Sequence, residues 1–462
     1  MTVSSSRAIT TPPAPSAPRP IHFPKPIEAV LANGLRVIAV TQRNLPLIAA
    51  HLIVRCGATS DPQDRPGLAT TTATLLAQGA GPYSATQIAE RVDALGARLD
   101  AAAGYDASTL SVIAMTTKFR AALELAGTIV REPSFTGDDL ERIKAKALSD
   151  LKLTYGSPSG LARLVATRLA FGEGPYAHPL AGTPRSLEVI SRDDVIRFHR
   201  THYVPSRSLL LIGGDLDPHE AIALAEELFG GWHDPSEPAS EVREASLPSP
   251  RFVVVDQPAA GRTAIVTASP AIRRRAHDYY AGVVATAILS GYSGRLNQEV
   301  RVKRGLSYGA GAQLLARGGA GLFTAATLVD HRKVAEATEV VVATLRSLLD
   351  APPQAAELET RKTSVLGNFA RSVETIEGLI SAFGEYALYD LPLGEIERFE
   401  DRVKGIDARE VAEFASRYIA VEPSIALVGN VDEFIGDLSR FERPIERIPF
   451  DELDLGSAKL RE

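Results

Sequence analysis

Residues 190–217 read ISRDDVIRFHRTHYVPSRSLLLIGGDLD, and residues 406–432 read IDAREVAEFASRYIAVEPSIALVGNVD. With a one-residue gap, Tyr203 falls on Tyr418, Gly214 on Gly429 and Asp217 on Asp432. Each segment opens with an acidic residue ahead of an amphipathic helical pattern and closes in an apolar strand-like run ended by glycine. A stretch that recurs half a chain apart marks a duplicated unit. The chain has 462 residues, more than one hydrophobic core normally carries, so two similar domains are expected.

Working outward, residues 233–250 between the copies read HDPSEPASEVREASLPSP, a proline-, serine- and glutamate-rich composition that predicts a linker. One domain is therefore expected over 22–232 and another over 251–462, after an extended or disordered lead-in over 1–21. Each half mixes strands and helices. Residues 35–40 and 48–55 are apolar, β-branched runs, the first opened by the turn signal Asn33-Gly34. Residues 69–77, 119–130 and 138–155 read as helices with few breakers. In the second half, 252–255, 264–268 and 322–329 are strand-like and 332–349 is helical. The class is α+β, twice over.

The composition, 45% hydrophobic and 23% charged, is that of an ordinary globular protein. A net charge of -6 gives no global electrostatic ground for nucleic acid or an anionic membrane surface. The single cysteine, Cys56, rules out an internal disulfide and a cysteine-based zinc cluster, and it fits a reducing compartment. A cytoplasmic location is expected, with the periplasm as the alternative if a signal peptide has been removed. The longest apolar run, 279–289, is about half the roughly 20 residues that span a bilayer, so no membrane span is expected. The first 26 residues lack the apolar centre of a signal peptide.

Six blocks stand in an order that resembles the pitrilysin and mitochondrial-processing-peptidase family. They are NGLRVIAV at 33–40, CGATSDPQDRPGLA at 56–69, VDALGARLDAAAGYDASTLSV at 92–112 and REPSFTGDDLERIKAKAL at 131–148. HPLAGTPRSLEVI at 178–190, continued by YVPSRSLLLIGGDLDP at 203–218, and SGRLNQEVRVKRGLSYGAGA at 293–312 complete the set. The resemblance implies a pair of α/β-roll domains forming half of a clamshell chamber for peptides.

Active members of that family carry H-x-x-E-H on a helix. Positions i and i+4 share a helix face, so both imidazoles reach one zinc while the glutamate activates its water. Here, after Gly-Leu-Ala, Thr70 and Thr74 stand at the two histidine positions and Ala73 at the glutamate. Asp150, or Ser149, stands where the third ligand belongs. None of the nine histidines belongs to H-x-x-E-H, H-E-x-x-H or H-x-x-x-H. His199 and His202, spaced i, i+3 in FHRTHY, have no carboxylate in phase. No metal site is therefore expected in this chain, and zinc is expected in a partner subunit.

By the same resemblance, RVKRGLSY places Arg301 and Tyr308 where family enzymes hold the substrate backbone and the developing oxyanion. The block predicts a helix end over 295–304, Gly305 just beyond it, and a strand from Leu306. Read from the residues alone, Arg301 complements a helix dipole and Tyr308 packs in a sheet. The runs 273–275 and 301–304 read as solvated charge. Glycines 291, 294, 318, 319 and 321 form no phosphate-binding pattern and are expected at turns and close contacts.

These features imply a non-catalytic, substrate-binding subunit of a heterodimeric zinc metallopeptidase, inactive alone, whose partner is a zinc-bearing homologous subunit. The substrate would be a peptide or unfolded polypeptide. The alternative is a scaffold of the kind found among respiratory-complex core proteins. An independent serine hydrolase has no G-x-S-x-G to support it.

Overall fold

A computed structural model describes residues 21–234 and 247–461. The expected lead-in, save its last residue, and most of the expected linker lie outside the described residues. The first half opens with β1 (Ile27–Val30), β2 (Arg36–Thr41), β3 (Leu47–Val54) and α1 (Leu68–Leu75). A short ribbon, β4 (Gly79–Ala80) and β5 (Tyr83–Ser84), leads into α2 (Ala85–Ala94), β6 (Arg98–Ala103) and β7 (Ser108–Met115). Helices α3 (Thr116–Arg131), α4 (Gly137–Gly156), α5 (Pro158–Phe171), α6 (Pro184–Val189) and α7 (Arg192–His202) follow. The half ends in β8 (Ser208–Gly214) and α8 (Pro218–Phe229).

The second half repeats this plan. It runs β9 (Phe252–Asp256), β10 (Thr263–Ala271), α9 (Tyr279–Leu289), α10 (Arg295–Asn297), β11 (Ser307–Leu315) and β12 (Gly321–Val329). Then come α11 (Val334–Asp350), α12 (Ala355–Ser372), α13 (Ile376–Leu388), α14 (Phe399–Gly405), α15 (Ala408–Tyr418), β13 (Ser424–Gly429) and β14 (Ile445–Pro449). The strands and helices expected from sequence are all present, with ends shifted by a few residues.

The two six-stranded sheets have the orders β1-β2-β8-β3-β7-β6 and β14-β9-β13-β10-β12-β11. Five strands correspond one to one, and the sixth differs: β1 pairs antiparallel to β2, whereas β14 pairs parallel to β9. The repeated stretch supplies the same part of each unit. Its helices, α7 and α15, both begin with a capping box, Ser191 with Asp194 and Asp407 with Glu410. Its strands, β8 and β13, each lie between one parallel and one antiparallel neighbour and are buried along their whole length. Burial on both faces explains apolar runs without alternation. The shared glycine is a close-approach residue. A Cβ on Gly214 would sit 2.2 Å from the Leu47 carbonyl oxygen, and one on Gly429 2.3 Å from Thr263 Oγ1.

The strands divide between the halves at the expected linker, but the cores do not. Helix α5 packs Leu161, Val165 and Leu169 onto Val253, Val266 and Ala426 of the second sheet. Helix α13 packs Leu379, Ile380 and Phe383 onto Ile53, Leu209 and Leu211 of the first. Each half thus covers one face of the other's sheet. Where the two units meet, Asp106 accepts hydrogen bonds from Tyr176 Oη (2.5 Å), Tyr389 Oη (2.9 Å) and the Gly318 N–H (3.0 Å). The expectation that 273–275 is solvated fails at Arg274, which is 5% exposed. Its planar guanidinium lies 3.9 Å from the Tyr279 ring centre and pairs with Glu385 of α13, a stacking and pairing that Arg permits under burial. Among the described residues no helix is long and apolar enough to cross a membrane.

Candidate functional site

Two places follow from the sequence: the helix that lacks a zinc motif, and the Arg301–Tyr308 junction. Helix α1 starts from Gly67 at φ 94°, with the Asp61 carboxylate accepting from the Gly67 and Ala69 N–H groups, 2.7 Å each. Thr70 and Thr74 lie one turn apart and are both half-buried. Thr70 Oγ1 donates to the Leu180 carbonyl (2.6 Å) and Thr74 Oγ1 to the Thr70 carbonyl (2.8 Å). Ala73 is 1% exposed and offers no base. Asp150 is exposed on α4 and pairs with Lys146 at 2.7 Å. Neutral hydroxyls committed to backbone carbonyls, beside one solvated carboxylate, do not make a donor set for zinc. Among the described residues no group of three or more His, Cys, Asp or Glu is placed to hold a metal. His199 and His202 serve the core instead. His199 Nε2 meets the Val130 carbonyl at 2.7 Å and its ring stacks on Tyr203, while His202 packs on Phe198. Burial pushes both imidazoles down to about 4.

The second place differs from its counterpart by single residues. In the first half, α2 is regular and ends at Gly96, φ 58°, with bonds from Gly96 N to Asp93 O and from Ala97 N to Val92 O. That is the nested pair of a Schellman cap. In the second half, α10 passes into a π-helix over Gln298–Lys303, which ends at Gly305, φ 59°. Here the nested bonds run from Gly305 N to Arg301 O (3.0 Å) and from Leu306 N to Val300 O (2.8 Å), one residue wider. The ordinary helix end expected at 295–304 is therefore a π-turn, with Gly305 placed as expected. The strand that follows is also irregular. Residues Ser307 and Ala310 pair with Val329 and Thr327, so Tyr308 and Gly309 together oppose one residue of β12. In the first half, β6 pairs with β7 in unbroken register. Arg301 thus sits in the extra helical turn and Tyr308 in the bulge.

Both side chains face out. Tyr308 is 78% exposed, and Arg301 is exposed with its guanidinium carbon 5.4 Å from the Tyr292 ring centre. The Arg262 guanidinium carbon lies 5.1 Å from the Tyr308 ring centre. Tyr308 does not pack in the sheet, as the residues alone suggested, because the bulge turns it out of the pleat.

The family model described as insulinase (peptidase family M16) matches residues 36–183, and the one described as the peptidase M16 inactive domain matches 190–365. The chain belongs to the M16 peptidase family. This M16 chain is 22% identical over 411 residues to an uncharacterized zinc protease of Rickettsia bellii, covering 86% of this chain and 96% of the relative. It is 24% identical over 410 residues to an uncharacterized zinc protease of Mycobacterium bovis, covering 87% and 93%. Its fold is also that of a peptidase M16 inactive domain from Pseudomonas fluorescens, at TM-score 0.82 and 24% identity over 88% of this chain and 98% of that one. A protease from Helicobacter pylori matches at TM-score 0.82 and 17% identity over 88% and 100%.

Within this M16 chain, sequence reasoning missed Tyr292 and Arg262. Tyr292 carried a faint signal, a tyrosine among Ser and Gly at 290–294 with no apolar neighbour to pack on. Arg262 carried none. Val329 pairs with Thr263 on one side and Ser307 on the other, and only this pairing brings Arg262 level with Tyr308.

Proposed function

We propose that the chain is the zinc-less, substrate-binding subunit of a two-chain zinc metallopeptidase. A homologous partner carries H-x-x-E-H, and this chain supplies Arg301, Tyr308 and half of the wall around a peptide or unfolded polypeptide. The observation that carries the reading is the pair of one-residue insertions, a π-turn at Arg301 and a bulge at Tyr308. Each sacrifices regular hydrogen bonding, and the same elements in the first half do without them. Such irregularities persist where they aim a side chain at a task. Arg301 offers a planar fork of N–H donors, and Tyr308 offers an O–H. Both donate to a carbonyl oxygen of the bound chain, most strongly as that oxygen gains charge. The names given to the relatives, zinc protease and inactive domain, fit a chain that keeps the fold without the metal ligands.

The test is co-expression with a homologue from the same organism that carries H-x-x-E-H. An obligate pair burying upwards of about 2,000 Å² elutes as one peak at twice the monomer mass. Tyr308→Phe lowers turnover of a quenched-fluorescent peptide by about 10²–10³, the usual loss for one oxyanion donor, with the dimer intact. Arg301→Lys keeps the charge, loses the fork and is also impaired. Full activity of both variants in an intact dimer overturns the reading and leaves a scaffold subunit.

A further inference from the structure

The two most exposed tyrosines among the described residues, Tyr308 at 78% and Tyr292 at 75%, flank α10 and its π-turn. Each has a guanidinium beside it, Arg262 at 5.1 Å from Tyr308 and Arg301 at 5.4 Å from Tyr292. The two pairs share one anchor. Asn297 Nδ2 donates to the Tyr292 carbonyl (2.7 Å), and a Cβ on Gly309 would lie 3.8 Å from Asn297 Oδ1. Turn, helix and strand therefore meet at one buried asparagine. The local charge is unbalanced. Glu299 takes up both Lys303 and Arg304. Among the described residues, no carboxylate lies within ion-pair distance of Arg262 or Arg301, and Lys333 spends its ammonium on the Gly305 carbonyl (2.9 Å).

Resting on the function proposed above, we infer that Arg262 and Tyr292 extend the Arg301–Tyr308 site into a recognition surface for an extended peptide bearing acidic side chains. The chemistry is specific. A guanidinium parked over a solvated ring retains its N–H fork, and a carboxylate that meets the fork gains two parallel charge-assisted hydrogen bonds. Exposed tyrosines supply apolar area with few torsions to freeze, and Tyr and Arg dominate the energetics of interfaces. Arg262 selects the acidic side chain, and Tyr292 holds Arg301 and covers the neighbouring peptide backbone. Neither is a catalytic residue.

Binding to the full chain alone tests this, by fluorescence anisotropy. The probes are two fluorescein-labelled ten-residue unstructured peptides, identical except for Glu-Glu or Gln-Gln at the centre. The Glu peptide binds about 10-fold tighter at low salt, the scale of one charge-assisted pair, and the advantage collapses in 0.5 M salt as a screening length of about 4 Å predicts. Arg262→Gln removes the advantage, Arg262→Lys restores part of it, and Tyr292→Ala weakens both peptides. Circular dichroism confirms that each variant is folded. Equal affinity for the two peptides, or an advantage that survives Arg262→Gln, overturns this inference while peptide binding itself stands. Failure of both peptides to bind overturns it together with the reading on which it rests.

Discussion

Thr74 shows how little is needed to abolish a metal centre. Its hydroxyl sits where an imidazole would project from α1, yet it is turned back to donate to the carbonyl one turn earlier. Thr70 does the same to Leu180, and Asp150 spends its charge on Lys146. A zinc ion would have to strip these groups from existing partners and find a neutral oxygen in return, where histidine nitrogen or thiolate gives far stronger bonds. The purified chain, dialysed after exposure to zinc, is therefore expected to retain well below one zinc per chain, and to cleave no peptide. Elemental analysis checks the first expectation. About one zinc per chain with peptidase activity would sink it. At Tyr308 the same scale of change acts in the other direction, since one bulge residue converts a sheet position into an exposed donor.

The junction of α10 with β11 is an element-scale device, because neither irregularity belongs to a single side chain. A residue inserted into a helix turns everything beyond it by about 100° relative to the regular form. Deleting Val302, the exposed residue between Arg301 and the Gly305 stop, would restore the cap spacing seen at Gly96. Arg301 and Tyr308, which lie on opposite sides of the deleted residue, would then no longer face the same way. The deletion is expected to abolish peptide turnover by the assembled complex as fully as loss of Arg301 does. It is also expected to leave the thermal midpoint within a few degrees, since Val302 contributes nothing to the core. A large drop in the midpoint would show instead that the π-turn serves packing.

At the scale of the molecule, the exchange of α5 and α13 decides how the protein unfolds. Removing either half strips an apolar face from the remaining sheet, including Leu161, Val165 and Phe171 on one side and Ile380 and Phe383 on the other. Exposing that much apolar surface outweighs the marginal stability of a single domain. Residues 1–232 and 251–462 expressed separately are expected to be insoluble or to lack a cooperative transition, while the full chain melts in one. Calorimetry distinguishes this from two independent transitions. The histidines add a pH dependence. Burial holds His51, His199 and His202 down to about 4, against 6.5 in the unfolded chain. Between pH 6.5 and 4 the unfolded state binds protons that the folded state does not, so stability is full above 6.5 and falls as the pH drops. Urea midpoints at pH 7 and pH 5 should differ by an amount equivalent to about 1–2 kcal/mol for each histidine. Unchanged midpoints would mean that these imidazoles charge freely in the folded protein.

The duplication, the α+β class and the glycine stop after the helix at 295–304 were legible in the residues, because each is carried by local order. A capping residue, a period of side chains and a glycine at a left-handed turn lie within a few positions of one another. Gly305 was placed correctly for that reason. The π-turn and the bulge were not legible, since inserting one residue leaves the local pattern almost unchanged and shows only against a register set by β12. Arg274 was misread as solvated because its partners, Tyr279 and Glu385, lie on different elements, one of them in a helix that crosses to the other unit. Arg262 reaches Tyr308 across β12, which no spacing along the chain encodes. The exchange of α5 and α13 belongs with these. Both helices are apolar enough to cover a sheet, and which sheet each covers is decided only when two similar faces compete for them in space.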